Sequence, residues 1–376
     1  MAPKRTQTGP DPLLVDLLSL PTAPFCEGYV IDYLRRFCEK RRLSFDTDQA
    51  GNVLIHLRRG PKRYRHPVCF AGHLDHPGFV ADKMIGPRKL RARWLGGVHA
   101  EYFVGSRVRF FDHGDWIRGT VRSISPPARK KRRPVETATI DIAAPVSPHS
   151  PGMWDFPDPT IKGNCIYARA CDDVAGVAAM LSCIDRLRRK KNAEAYFLFT
   201  RAEEVGFVGA ISAARDRTIP DQCVVVAVET SSQLPAARIG DGPILRVGDK
   251  SSVFTPSATA YCNRVAKELA ETDKHFIYQR KLMDGGTCES TAYCQFGYDA
   301  TGLCIALGNY HNMDTKRRRI APEFIDLTDY ENLVRWFVAL ATSSSTYDGK
   351  DAALIKRLRN LERRYAKLLK ESERRL

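Results

Sequence analysis

Apolar residues recur along this chain at two different periods, and the change of period divides it. Leu13, Leu14, Leu17 and Leu18 fall at helical spacing, Pro21 interrupts them, and Val30, Tyr33, Leu34 and Phe37 resume it, so residues 11–42 predict helix. Short strand-like runs follow at Val53–Leu57 and Val68–Ala71, the first entered through the turn-forming pair Gly51-Asn52. Residues 85–160 carry brief runs, Arg107–Phe111, Thr120–Ile124 and Thr139–Ile142, cut by turn signals at Asp112-His113-Gly114 and Pro126-Pro127. That texture predicts a small β-barrel or sandwich inserted into a larger domain.

From Asp173 the helical period returns, with Val177, Met180, Leu181, Ile184 and Leu187 forming one stripe. Ala195–Thr200, Cys223–Glu229 and Leu303–Leu307 are continuous apolar runs, the pattern of central strands covered on both faces. Their alternation with helices predicts an α/β domain on a mainly parallel sheet. The expected division is a main domain in two parts, 1–84 and 161–347, an inserted β domain at 85–160, and a basic C-terminal helix at 348–376. In that helix Leu354, Leu358, Leu361, Tyr365 and Leu368 alternate spacings of four and three, a seam suited to docking on its own domain or to a short coiled coil.

Composition narrows the class. The 376 residues are 43% apolar and 27% charged, which suits about two folded domains and excludes wholesale disorder. No apolar run approaches the ~20 residues that span a bilayer, so no membrane partner is expected. The first residues, MAPKRTQTGPDP, lack the apolar core of a secretion signal. Eleven cysteines, an odd number with no CxxC pair, fit a reducing, cytoplasmic setting. The net charge of +16 is concentrated in Arg129–Arg133 and in the tail after Lys350. Solvated faces are the plainer account of these blocks, and polyanion or nucleic-acid binding is the alternative.

Five segments join ligand-type side chains to strand ends or a helix start. In Gly72-His73-Leu74-Asp75 the two-residue spacing sets His73 and Asp75 on one side of an extended chain, where Asp75 can accept a ring N–H and fix a tautomer. Asp172-Asp173 precedes the helix of residues 174–187, where one aspartate can cap while the other enters a site. Glu203-Glu204 follows a buried run, and a dication beside them would relieve their repulsion. Glu229 closes another apolar run, and His311 follows the last. Carboxylates with two imidazoles suit a pair of Zn²⁺ or Co²⁺ ions better than Ca²⁺ or Mg²⁺.

Taken in order, Gly72-His73-Leu74-Asp75 with Pro77-Gly78-Phe79, Asp172-Asp173-Val174-Ala175-Gly176, Glu203-Glu204-Val205-Gly206 and Gly285-Gly286-Thr287 resemble the glutamyl-aminopeptidase, or tetrahedral aminopeptidase, family of co-catalytic metallopeptidases. Asp48-Gln49-Ala50-Gly51-Asn52-Val53 is similar to that family's early turn, and the resemblance spans about residues 12–343. Related di-zinc exopeptidases and deacylases share the ligand set. Here Asp75 and Asp172 stand 97 positions apart and Glu229 and His311 only 82, so the large insert precedes the paired aspartates, as in the tetrahedral aminopeptidases.

The resemblance implies two divalent metals, with His73 and Glu229 on one, Glu204 and His311 on the other, and Asp172 bridging. It implies Glu203 as general base and Asp75 as the residue that orients the site. It also implies short peptide substrates and a homo-oligomer, a dimer or higher shell, with 1–84 and 161–347 as the catalytic domain and the insert at 85–160 serving dimerisation or substrate access. The chain departs from the family pattern at Glu229, where Asp is usual, at His76, where an acid is common, and in the loose segment Asn309-Tyr310-His311-Asn312-Met313. The expected activity is therefore a di-metal aminopeptidase. A deacylase of acylated amino acids with the same metals is one alternative, and a non-enzymatic polyanion binder is another.

Overall fold

The computed structural model describes residues 9–126, 134–343, 347 and 352–373, so the basic block at 129–133 lies outside the described residues. The sheet is mixed. Four strands, Ala193–Thr200, Val68–His73, Val224–Ser232 and Asp299–Gly308, lie side by side and parallel. Antiparallel strands flank them: Val53–Arg59 against Ala193–Thr200, and Glu323–Asp326 followed by Cys165–Ala168 beyond Asp299–Gly308. Ile244–Asp249 also pairs antiparallel with Asp299–Gly308 and carries Gln279–Met283 on its outer edge. The parallel arrangement thus holds for the four-strand centre, which is where the continuous apolar runs fall.

Those runs are apolar throughout because both faces are covered. Phe70, Phe197, Val226 and Leu303 join one buried cluster with the helices Val174–Leu187, Pro256–Thr272 and Leu327–Thr342. Their neighbours Cys69, Ala71, Leu198, Val225 and Ala227 join a second cluster with the helices Val208–Arg215 and Glu289–Gln295. Successive side chains leave a strand on opposite faces, so a doubly covered strand can afford no polar position until its end.

The helix expected over residues 11–42 is two helices, Pro12–Ser19 and Gly28–Arg41. Pro21 and Pro24 lie between them, and neither can donate the N–H a continuous helix needs. Asp11 caps the first, accepting a hydrogen bond from the Leu13 N–H at 3.0 Å.

The inserted β structure is a closed six-stranded barrel, in the order Gly78–Gly86, Lys89–Leu95, Thr137–Ile142, Asp115–Ser125, Arg107–Asp112 and Pro151–Trp154. Phe79, Trp94, Phe103, Phe110 and Trp154 fill it, several of them packed edge to face. Gly152 admits the Phe110 ring, since a Cβ there would lie 2.4 Å from it. The barrel leaves the sheet just after His73, and the chain returns through Cys165–Ala168 toward Asp172. Both of its connections therefore run past the ends of the parallel strands.

Candidate metal centre

Strand register brings the first ligands level. Thr200 pairs with His73 and Ala227 with Ala71, so Glu229, two residues on, stands beside His73. The strand holding Glu229 does not end there but runs on to Ser232, so Glu229 sits inside the sheet rather than at its rim. Glu203 and Glu204 occupy a single helical turn, Glu203–Val205, immediately past the strand Ala193–Thr200.

Both imidazoles are held in a defined tautomer by backbone carbonyls. His73 Nδ1–H donates to the Asp75 carbonyl at 3.1 Å, and His311 Nδ1–H donates to the Gly97 carbonyl, on the barrel side, at 2.8 Å. A carbonyl can only accept, so in the neutral ring the lone pair falls on Nε2. His73 Nε2 lies 3.5 Å from Asp172 and 3.9 Å from Glu203. His311 Nε2 lies 3.1 Å from Glu204 and 3.7 Å from Asp172.

The Asp75 carboxylate has a different task from the one its spacing suggests. It stands 3.6 Å from His73 Nδ1, while its two oxygens accept the backbone N–H groups of Glu203 at 2.9 Å and Glu204 at 3.1 Å. The turn carrying both glutamates is thereby fixed against the strand carrying His73.

All seven residues singled out from the sequence are brought together. Ligand atoms of His73, Asp172 and Glu229 lie within 4.8 Å of one another, as do those of Asp172, Glu204 and His311. Asp172 belongs to both groups, the position a bridging carboxylate requires. A third such group, His73 with Glu203 and Glu204, overlaps them.

The donor set fits divalent ions. Asp172 Oδ1, Glu204 Oε1, Glu229 Oε1 and His311 Nε2 are buried without a hydrogen-bond partner, an arrangement that costs free energy unless something positive faces them. Electrostatics agree. Burial, with neighbouring carboxylates, raises the Glu203 carboxyl well above its ordinary range, and burial raises Glu229 to about 8. Burial opposes charge on His311, yet Glu204 and Asp172 outweigh it and lift the ring to about 9. Acids that hold protons and imidazoles that gain them both report a deficit of positive charge, which a dication removes.

Several carboxylates that sequence reasoning missed build the frame. Glu323, fully buried, accepts the N–H of Cys171 at 2.8 Å, of Asp172 at 3.1 Å and of His311 at 2.8 Å. Glu27 accepts from Ala202 N–H and from the Arg201 guanidinium, holding the approach to Glu203. Glu289 accepts from the hydroxyls of Thr200 and Tyr293. Asp173 makes no capping bond; its carboxylate accepts from Thr230 at 2.9 Å, and Gly72 and Gly176 leave room for it, since a Cβ at either would lie within 2.8 Å of its oxygens. Glu289 follows directly on Gly285-Gly286-Thr287-Cys288, a signal that was present; Glu323 sits in Pro322-Glu323-Phe324-Ile325, which carries none. His76, the departure from an acid, bridges the Asp172 carbonyl at 2.7 Å and the Asn312 side chain at 3.1 Å.

A pocket of about 210 Å³ opens beside Asp172, Glu203 and Glu229, and its other walls include Ser231, Leu234, Arg246, Met283 and Thr287. Arg246 is buried, donates to Ser231 at 3.0 Å and leaves its Nε without a partner. A larger cleft of about 1250 Å³ on the barrel, walled by Arg107, Arg109 and Arg118, includes none of the seven site residues.

Comparison with known proteins gives the family and the fold. A family model described as M42 glutamyl aminopeptidase matches residues 51–334. A protein of Acetivibrio thermocellus, named as an inferred aminopeptidase, is 27% identical over 254 residues, covering 64% of this chain and 72% of that protein. The fold matches an aminopeptidase from the archaeon Desulfurococcus kamchatkensis with a TM-score of 0.72 at 24% identity, covering 89% of this chain and 94% of the other. It also matches the Pyrococcus horikoshii TET1 peptidase, described as assembling into a tetrahedron or a large octahedral shell, with a TM-score of 0.71 at 22% identity, covering 88% and 98%.

Proposed function

The chain belongs to the M42 glutamyl aminopeptidase family and is a metallo-aminopeptidase; from that premise we propose that it removes N-terminal residues from short peptides, with Glu203 as general base. Metal dependence follows from the family. The assignment of ligands is ours: His73 and Glu229 hold one divalent ion, Glu204 and His311 the other, and Asp172 both. Zn²⁺ or Co²⁺ suits this mixture of imidazole and carboxylate. When bound, such ions acidify water and polarise the scissile carbonyl.

The protein's own groups do the rest. Glu203 lies 3.9 Å from His73 and lines the pocket, so its carboxylate takes the proton of the attacking water and then gives it to the departing amine nitrogen. Asp75 and Glu323 keep the turn of Glu203 and Glu204 and the segments of Asp172 and His311 in register.

Arg246 supports a narrower substrate class. It is the one Lys or Arg among the pocket's walls, buried and incompletely partnered, and the pocket's volume suits a single side chain. An acidic N-terminal residue pairs with that guanidinium, whereas a lysine would be repelled.

The barrel and its connections past the site support self-association in a homo-oligomer, the assembly named for the TET1 peptidase. All eleven cysteines are free thiols, which supports a reducing cytoplasmic setting.

The observation that carries the reading is Asp172 shared between two three-residue ligand groups. The test is hydrolysis of aminoacyl chromogens with added Zn²⁺ or Co²⁺. Glu203→Gln is expected to lower kcat by about 10²–10⁴ while the protein still binds metal. Full activity in that variant would remove Glu203 from the mechanism.

A further inference from the structure

We propose that the C-terminal helix, Ala352–Glu373, is an interfacial anchor that lays its apolar face into an anionic lipid surface. The helix lies beyond the segment matched by the family model, which ends at residue 334, and the aminopeptidase site uses none of it. Its apolar residues face solvent: Leu358 is 55% exposed, Leu361 43%, Tyr365 48%, Leu368 60% and Leu369 72%. An apolar strip of that size on a soluble body marks a contact surface.

The distribution of charge selects the occupant. At about 100° per residue, Leu354, Leu358, Leu361, Tyr365, Leu368 and Leu369 fall within an arc of about 100°. The seven lysines and arginines from Lys356 to Lys370 all fall outside that arc, within about 160° that begins about 20° from its edge, and Glu362 is the one acid in that stretch. A second copy of the helix would bring two strongly cationic segments together. A nucleic acid would engage the cations and leave the leucines in water. An anionic bilayer offers both counterparts at once, acyl chains for the apolar arc and phosphate or carboxylate headgroups for cations beside it.

This revises one expectation. The sequence reading excluded a membrane partner on span length, and no helix among the described residues is long and apolar enough to cross a bilayer. A helix lying in the interface needs no such length. Its attraction comes from buried apolar area plus charge, and cytoplasmic leaflets carry anionic lipid.

The experiment is flotation of the full-length protein with vesicles of phosphatidylcholine alone and with about 30% phosphatidylserine added. Binding is expected to the anionic vesicles, to weaken with salt, and to fall about tenfold or more in Leu361→Glu/Leu368→Glu and in Arg359→Gln/Arg363→Gln. Aminopeptidase activity is expected to be unchanged in both variants, which shows that the body folds. The proposal is overturned if anionic vesicles do not retain the protein, or retain the leucine variant equally. It is overturned as well if that variant instead lowers the mass of the assembly, which would make a second copy the occupant, or if the protein binds duplex DNA through the arginines irrespective of the leucines.

Discussion

Asp75 accepts the backbone N–H of Glu203 at 2.9 Å, so the residue proposed as the base is positioned through its main chain by a residue on a neighbouring strand's exit. The second oxygen of Asp75 holds Glu204 in the same way at 3.1 Å. One carboxylate thus sets both the base and a ligand.

An amide has one acceptor where the carboxylate has two, so Asp75→Asn releases Glu203 or Glu204. We expect metal affinity to fall about 10- to 100-fold, read as metal retained after dialysis or by titration calorimetry, with a parallel loss of kcat/KM. Wild-type affinity in that variant would show that the two N–H bonds do not position the site.

Glu323 ties the bridging position to His311 by three backbone hydrogen bonds. Glu323→Gln turns an NH₂ toward donors and leaves at least one buried N–H unmatched, a cost of about 1–3 kcal/mol. The expected result is a lowered urea midpoint together with metal binding weakened about tenfold or more. A midpoint shift with intact metal affinity would assign Glu323 to stability alone.

The proposed acidic selectivity is tested at Arg246. Arg246→Met is expected to lower kcat/KM for an N-terminal glutamyl substrate about 10- to 100-fold more than for a leucyl one, the worth of a charge-assisted hydrogen bond. The ratio is the readout, since Arg246 also neighbours Glu229 and its loss can slow both substrates. If the enzyme cleaves peptides but the ratio stays constant, the aminopeptidase assignment stands and the acidic preference falls.

Asp329 gives a pH signature far from the chemistry. Burial raises its carboxyl to about 6, against the pull of the Gly240 and Gly242 N–H groups and with a further push from Asp326. The folded state therefore binds this proton more tightly than the unfolded chain does. Stability from this group is full below about pH 4 and is lost as pH rises through about 6. In Asp329→Asn the difference in urea midpoint between pH 4 and pH 6.5 is expected to shift toward higher stability at the upper pH, relative to wild type. An unchanged difference would mean that Asp329 titrates normally.

The order of amino acids sets which ligand-type side chains exist and where along the chain they fall. His73, Glu203, Glu204, Glu229 and His311 were legible because an acid or imidazole stands out against the continuous apolar run of a doubly covered strand, and Asp172 because it opens a helix beside a second aspartate. The barrel was legible as a change of period. What each carboxylate bonds to emerges on folding. Asp75 serves two N–H groups rather than an imidazole, Asp173 turns inward to Thr230 rather than capping its helix, and Glu323 joins segments about 140 residues apart. Nothing local could reveal these roles, because a buried carboxylate takes whichever donors the packing delivers, and those donors come from parts of the chain that meet only on folding.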